Sequence, residues 1–265
     1  MPDWLAVILL GIIEGLTEFL PVSSTGHLLL AEQWLNISKT ELFNTVIQCG
    51  ALMAVLAVFW SRVNSLALGW REANAQKYLI HLAVAFGITG VGGLLLKKVL
   101  HWKLPHTPFP VAIATLAGGF VILAIERWVK GRPGIAEITI RTAVIVGFAQ
   151  LLAAAFPGTS RSGACILFAL LAGTARPAAT EFSFLVGIPT MIAASGLEIV
   201  SSLKSGERIP GSDWGMVALG SAAAAVTAFL VVRWLLRFVQ THTFVAFGWY
   251  RIALGAVILW LARGH

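Results

Sequence analysis

Two short segments place carboxylates, hydroxyls, an imidazole and a guanidinium inside hydrophobic sequence. The first runs Glu14-Gly-Leu-Thr-Glu18-Phe-Leu-Pro21-Val-Ser23-Ser24-Thr25-Gly26-His27, and the second Gln150-Leu-Leu-Ala-Ala-Ala-Phe-Pro157-Gly158-Thr-Ser160-Arg161-Ser162-Gly163. Ionisable groups in such surroundings are expensive to hold and point to function. Glu14 and Glu18 are four apart and share one face of a predicted helix. Two carboxylates that close, in a low dielectric, call for a divalent metal or a proton between them. The plainer alternative is a helix face lining a wet cavity without a ligand.

Ser23, Ser24 and Thr25 follow Pro21 and precede an apolar arm from Leu28. One such hydroxyl serves as a helix cap, but three in a row exceed what a cap needs. Ser160 and Ser162 flank Arg161 at the corresponding helix start. Both breaks therefore aim free backbone N–H groups and the positive end of a helix at one place, an anion site. Arg161 there needs either a counter-anion such as Glu18 or a phosphate-like substrate, whose oxygens its fork fits. His27 lies three positions after Ser24, the spacing of an acid/base beside a nucleophile. Together these groups suit phosphoryl transfer. No Walker A or Rossmann fingerprint is present, which argues against nucleotide hydrolysis.

The elements that must position these residues belong to a membrane. Of 265 residues 58% are hydrophobic and only 12% charged, with a mean hydropathy of +0.85, against about 25% charged in soluble domains. Apolar runs of spanning length occupy 42–60, 79–98, 109–128, 181–203, 214–236 and 244–262. Regions 4–35 and 142–172 are also apolar but are broken at Pro21 to Gly26 and Pro157 to Gly163. Their second arms, ~12 residues or about 18 Å of helix, are too short to cross. They are predicted to be re-entrant helical hairpins, with the irregular backbone covered by protein or facing a cavity. The predicted fold is thus an all-α integral membrane protein with six transmembrane helices and two re-entrant hairpins.

The order, hairpin plus three spans twice over, suggests one membrane domain over 1–265 made of two repeats, 1–128 and 142–265. A shift of 136 positions sets Pro21 on Pro157, Glu14 on Gln150, Ser24 on Ser160 and Gly11 on Gly147; a slightly larger one sets Phe43 on Phe182 and Gly50 on Pro189. Three crossings per half make the second copy inverted, which places a shared site near the midplane.

Lys and Arg sort the loops. The loops at 61–78, 127–141, 173–180 and 233–243 hold ten, among them Arg62, Arg71, Arg132, Arg176 and Arg237, against seven on the other side, including Lys39, Lys97 and Lys204. The first set is predicted to be cytoplasmic, with both termini outside. The start of the chain lacks a basic n-region and its first apolar stretch carries two carboxylates, so it reads as mature structure. The net charge of +7 comes without a long basic run, which fits lipid headgroups and argues against nucleic acid as a partner. Cys49 and Cys165 read as small buried hydrophobes, with no disulfide or zinc spacing.

At these motifs the chain closely resembles the bacterial undecaprenyl pyrophosphate phosphatases, also called bacitracin-resistance proteins. Glu14-x-x-x-Glu18 with Pro21-Val-Ser-Ser-Thr-Gly-His27, and Pro157-Gly-Thr-Ser-Arg-Ser-Gly163, carry the resemblance, which extends over Phe43 to Gly50 and Glu181 to Leu185. It implies a multi-pass enzyme of the bacterial inner membrane that removes the terminal phosphate from C55 isoprenyl pyrophosphate. It also implies dependence on a divalent cation (Mg2+ or Ca2+) and a site facing the periplasm. Carried over, Glu14 and Glu18 are the acidic motif, Ser24 and His27 the serine-histidine motif, and Ser160, Arg161 and Ser162 the phosphate grip. One departure is Cys165, where the family commonly has threonine; it reads as a packing substitution.

The resulting expectation assigns catalysis to Glu18, Ser24, His27 and Arg161. Ser23, Thr25, Gly26, Ser160, Arg161 and Ser162 bind substrate, and Glu14 and Glu18 hold the metal. Ser24 is the preferred nucleophile, activated by His27, with attack by His27 itself or by water kept open. The partners are the long-chain isoprenyl pyrophosphate and the membrane, and a homodimer is compatible. Two rival classes are an inverted-repeat transporter or lipid flippase and an intramembrane serine protease using Ser162.

Overall fold

The computed structural model describes residues 1–37, 41–98, 107–205 and 214–263. The chain forms α1 (Asp3–Thr17), α2 (Ser24–Leu35), α3 (Glu41–Val58), α4 (Trp60–Leu68), α5 (Ala73–Lys98) and α6 (Pro108–Val129). It continues as α7 (Ile140–Ala155), α8 (Arg161–Leu171), α9 (Arg176–Ser205), α10 (Trp214–Phe238) and α11 (Val245–Arg263). Among the described residues the sole β pairing is an isolated bridge between Ile135 and Thr174.

Helices α5, α6, α9, α10 and α11 are each long and apolar enough to cross a membrane, and α3 with α4 qualifies as a sixth span bent by 67°. The chain is a multi-pass membrane protein. The bend corrects one expectation, since the start of the loop predicted at 61–78 is helical. Phe59 leaves helical geometry at φ −97° and ψ 12°, yet its N–H still reaches Val55 O and its own carbonyl accepts from Val63 N. The ladder therefore turns without unravelling, and α4 lays Trp60 and Leu68 outward.

Exposed tryptophans mark the two ends of the bundle. Trp60, Trp128 and Trp234 lie where α4 begins and α6 and α10 end; Trp4, Trp34, Trp214 and Trp260 lie at the opposite ends. Amphipathic indoles collect at both membrane interfaces in this way.

The helices of one half of the chain pack on those of the other: α1 on α10, α7 on α5, α3 on α9 and α6 on α11. With lipid outside, no hydrophobic drive pulls helices together, so close backbone approach must do it. Small residues supply that approach. A Cβ on Gly11 of α1 would lie 2.3 Å from Gly220 O of α10, and one on Gly147 of α7 would lie 2.9 Å from Ala85 O of α5. Gly119 of α6 likewise rests on Gly248 O of α11. The largest buried cluster surrounds the tip of the α1–α2 pair, with Phe19, Val22, Cys165, Phe182 and Phe184, so Cys165 packs as its sequence context implied.

Candidate active site

Neither broken pair is a continuous span. Between α1 and α2 the chain turns through residues 18–23, and between α7 and α8 through 156–160. Each second helix starts in the same way. Ser23 at φ 73° accepts from Gly26 N at 3.3 Å, and Ser160 at φ 68° accepts from Gly163 N at 3.2 Å. A left-handed non-glycine backbone is strained, and strain of this kind gathers at functional sites. The caps also revise the register: Ser160 matches Ser23, whereas the 136-residue shift set it on Ser24. The second turn uses its residues differently, and this moves the equivalence by one.

The two tips meet. Ser162 Oγ lies 3.1 Å from Leu20 O and 3.2 Å from Glu18 O, Ser160 Oγ lies 3.4 Å from Leu20 O, and a Cβ on Gly163 would touch Pro21. Ser162 is therefore a buried latch between the tips. An acyl-transfer nucleophile needs a free hydroxyl beside a base, which removes the support for the serine-protease reading.

Across this junction Arg161, the first residue of α8, donates to Glu18 Oε1 at 3.0 Å and contacts Met191 Sδ at 3.1 Å. The counter-anion anticipated for Arg161 is thus Glu18. The other Glu18 oxygen, Oε2, accepts the Ser24 hydroxyl at 2.7 Å. Glu18 sits one residue past α1, its N–H still bonded to Glu14 O, so a single helical turn carries both carboxylates. The guanidinium also fits against Gly187 of α9, where a Cβ would lie 2.1 Å from Nη1.

His27 uses both ring nitrogens away from Ser24. Nδ1 lies 2.7 Å from Ser23 O and Nε2 lies 2.6 Å from the Tyr250 hydroxyl. A carbonyl only accepts, so Nδ1 carries the proton; in the neutral ring Nε2 then accepts from Tyr250. The two rings are near parallel, at 6°. Thr25 is exposed on α2, while Gly26 is buried with its N–H committed to Ser23. The first-turn amides left for an anion therefore belong to Ser24 and Thr25, and to Arg161 and Ser162.

Glu14 is fully buried, and neither of its oxygens finds a hydrogen bond of good geometry among the described residues; Gln48 of α3 is the polar side chain beside it. An orphaned buried carboxylate one turn from Glu18 suits a cation. Among the described residues no third His, Cys, Asp or Glu joins them. That donor set fits a hard ion such as Mg2+, which binds through one or two carboxylates and completes its shell with water and substrate phosphate oxygens.

The residue that ties the tips together is not among the site residues expected from sequence. Arg251 of α11 is 1% exposed and donates to Thr115 O, Pro21 O, Thr159 O, Ala114 O and Gly158 O at 2.8–3.4 Å. Two acceptors lie in α6, one in the first tip and two in the second. Arg251 is the single charged residue of the 244–262 run, and a guanidinium in that apolar stretch is as costly to hold as Arg161. Thr115, whose hydroxyl lies 3.5 Å from Ser23 Oγ and 3.3 Å from Gly158 O, and Tyr250 carried no signal beyond their polarity.

The family described as bacitracin resistance protein BacA matches residues 7–257. A protein of Rhizobium leguminosarum bv. trifolii named undecaprenyl-diphosphatase is 49% identical over 261 residues, covering 98% of this chain and 97% of that protein. One of the same name from Xylella fastidiosa (strain 9a5c) is 48% identical over 263 residues, 98% of this chain and 100% of its own. Another, from Xanthomonas oryzae pv. oryzae (strain PXO99A), is 46% identical over 263 residues, 98% of each.

Proposed function

The chain belongs to the bacitracin resistance protein BacA family, and from that premise we infer that it hydrolyses undecaprenyl pyrophosphate to the monophosphate and orthophosphate in the membrane. The observation that carries this reading to the residues is the chain of contacts Arg161–Glu18–Ser24 at the meeting of two helix N-termini. A guanidinium, four first-turn amides and a hydroxyl on a carboxylate are the parts that phosphoryl transfer asks for.

In this reading Arg161 and the amides grip the diphosphate, and Ser24 Oγ attacks the terminal phosphorus while its proton passes to Glu18 Oε2. The bond from that phosphorus to the bridging oxygen breaks, and the lipid monophosphate leaves. Water then releases orthophosphate from Ser24, with Glu18 handling the proton. When Arg161 turns to phosphate oxygens, Glu18 keeps Ser24 as its partner, so the ion pair and the substrate exchange places. Glu18 thereby takes the base role expected of His27 from residue spacing. Glu14 and Glu18 would hold a divalent cation, Mg2+ or Ca2+, whose charge would offset that of the diphosphate.

A second reading has His27 as the phosphoryl carrier. Its Nδ1–H lock to Ser23 O favours it, because the lock leaves Nε2 as the nitrogen with a lone pair, which would have to exchange the Tyr250 hydroxyl for phosphorus.

We also infer an inverted-repeat architecture. The α1–α2 and α7–α8 pairs are re-entrant hairpins of two inverted repeats, 1–128 and 142–265. The matched caps, the paired packing of α1 on α10 and α7 on α5, and the crossing glycines 11 and 147 support this. The membrane is the bacterial inner membrane, and the site faces the periplasm.

Purified protein given C55 isoprenyl pyrophosphate in liposomes should release orthophosphate, and a chelator should stop it. Lipid reorientation without phosphate release would favour the flippase reading.

A further inference from the structure

A groove of about 500 Å3 runs along α6 beside the α7–α8 tip. Its floor is made of small residues, Ala114, Ala117 and Gly118 of α6 and Ala164 of α8, and its rim of large ones, among them Phe109, Ile113, Leu152, Phe156 and Phe168. The floor cannot be filled from Gly118, because a Cβ there would lie 2.1 Å from Arg251 Nη2. Almost all of the lining is apolar; its polar contributors are Thr159 and Arg251.

Those two residues connect the groove to the site. Thr159 O accepts from Arg251 Nη1 at 2.8 Å, and Thr159 immediately precedes the Ser160 cap and Arg161. Phe109 and Pro110 begin α6, Leu152 and Phe156 lie at the end of α7, and Ala164 lies in the first turn of α8. The groove therefore touches the second tip at Thr159 and Ala164, the residues on either side of the 160–163 segment that carries the Arg161 and Ser162 amides.

We propose that this groove binds the head-proximal isoprene units of the lipid diphosphate. The inference rests on the function proposed above and adds a place for the tail. A lipid whose phosphates lie on the amides of Arg161 and Ser162 has its first carbons beside this turn, and a small-floored, aromatic-rimmed channel accepts a flat, methyl-branched chain. Burial there removes apolar substrate surface from competition with bulk lipid and orients the reacting end. The size of the groove matches that of a small-molecule pocket, so the rest of a C55 chain continues into the bilayer.

The test uses Ala117→Trp, which fills the groove from an exposed position on α6 and leaves the buried core alone. Val226→Trp, at a 64% exposed site on α10 outside the groove, is the control. Phosphate release is measured with C55 isoprenyl diphosphate and with a C5 diphosphate too short to fill the groove. The expected result is a fall of ~10-fold or more in kcat/KM for the long chain in Ala117→Trp, on the scale of losing one or two buried methylenes. The short-chain value should stay within about twofold of the unmodified protein, and Val226→Trp should change neither. An unchanged ratio between the two substrates in Ala117→Trp overturns the proposal and leaves the groove to ordinary lipid chains. Equal loss on both substrates also overturns it, since that marks a damaged head-group site. Phosphate release by the unmodified protein tests the underlying function separately.

Discussion

The Ser24 hydroxyl rests on Glu18 Oε2 at 2.7 Å while Arg161 holds Oε1 at 3.0 Å. One carboxylate thus couples the hydroxyl of the first tip to the guanidinium of the second. The reach of Glu18 is what makes this possible, so Glu18→Asp, which keeps the charge but draws the carboxylate back by one methylene, should lower kcat by at least ~10²-fold. Steady-state phosphate release at saturating lipid checks it; activity within a few-fold of the unmodified protein would remove Glu18 from the base role.

Arg161→Lys keeps a cation opposite Glu18 and loses the planar fork. A loss of ~10²-fold or more in turnover is expected, the scale of one preorganised donor. Near-normal turnover in this variant would mean that the Arg161–Glu18 pair is structural only.

The two nucleophile readings diverge in the species they leave behind. With Ser24 as nucleophile, rapid quenching with terminally labelled substrate should trap an acid-stable phosphoserine that disappears in Ser24→Ala. Acid-labile label that persists in Ser24→Ala and is lost in His27→Ala would transfer the role to His27.

If Glu14 and Glu18 hold a divalent cation, Glu14→Gln should weaken metal activation, raising the Mg2+ or Ca2+ concentration needed for half-maximal rate. Glu18→Gln should weaken it further, because that residue lies nearer the tips. Retention of the unmodified metal dependence in both variants would rule out the bridging role.

Arg251→Lys offers three rotatable donors where five carbonyls are now served. Leaving buried carbonyls unpaired should cost about 2 kcal/mol or more, seen as a lower Tm in detergent. Gly11→Ala should be destabilising by about 1–3 kcal/mol, because its Cβ would meet a backbone carbonyl at 2.3 Å rather than a side chain that can move. An unchanged Tm in either variant would contradict the packing described.

Much of this protein is legible from residue type and spacing alone. Long apolar runs located α5, α6, α9, α10 and α11, and Pro21 and Pro157 marked the breaks of the two short pairs, because bilayer thickness and the missing N–H of proline act on local sequence. Glu14, Glu18, Ser24, His27 and Arg161 stood out since polar groups in apolar surroundings need a reason to be there. Local sequence could not choose partners. Whether Ser24 bonds His27, three residues away, or Glu18, six away, depends on how the 18–23 turn folds. Arg161 meets Glu18 across 143 positions and Arg251 meets Pro21 across 230. A hydrogen bond is decided within a few tenths of an ångström, and distances that fine between groups so far apart in the chain exist only once α1, α6, α8 and α11 have packed.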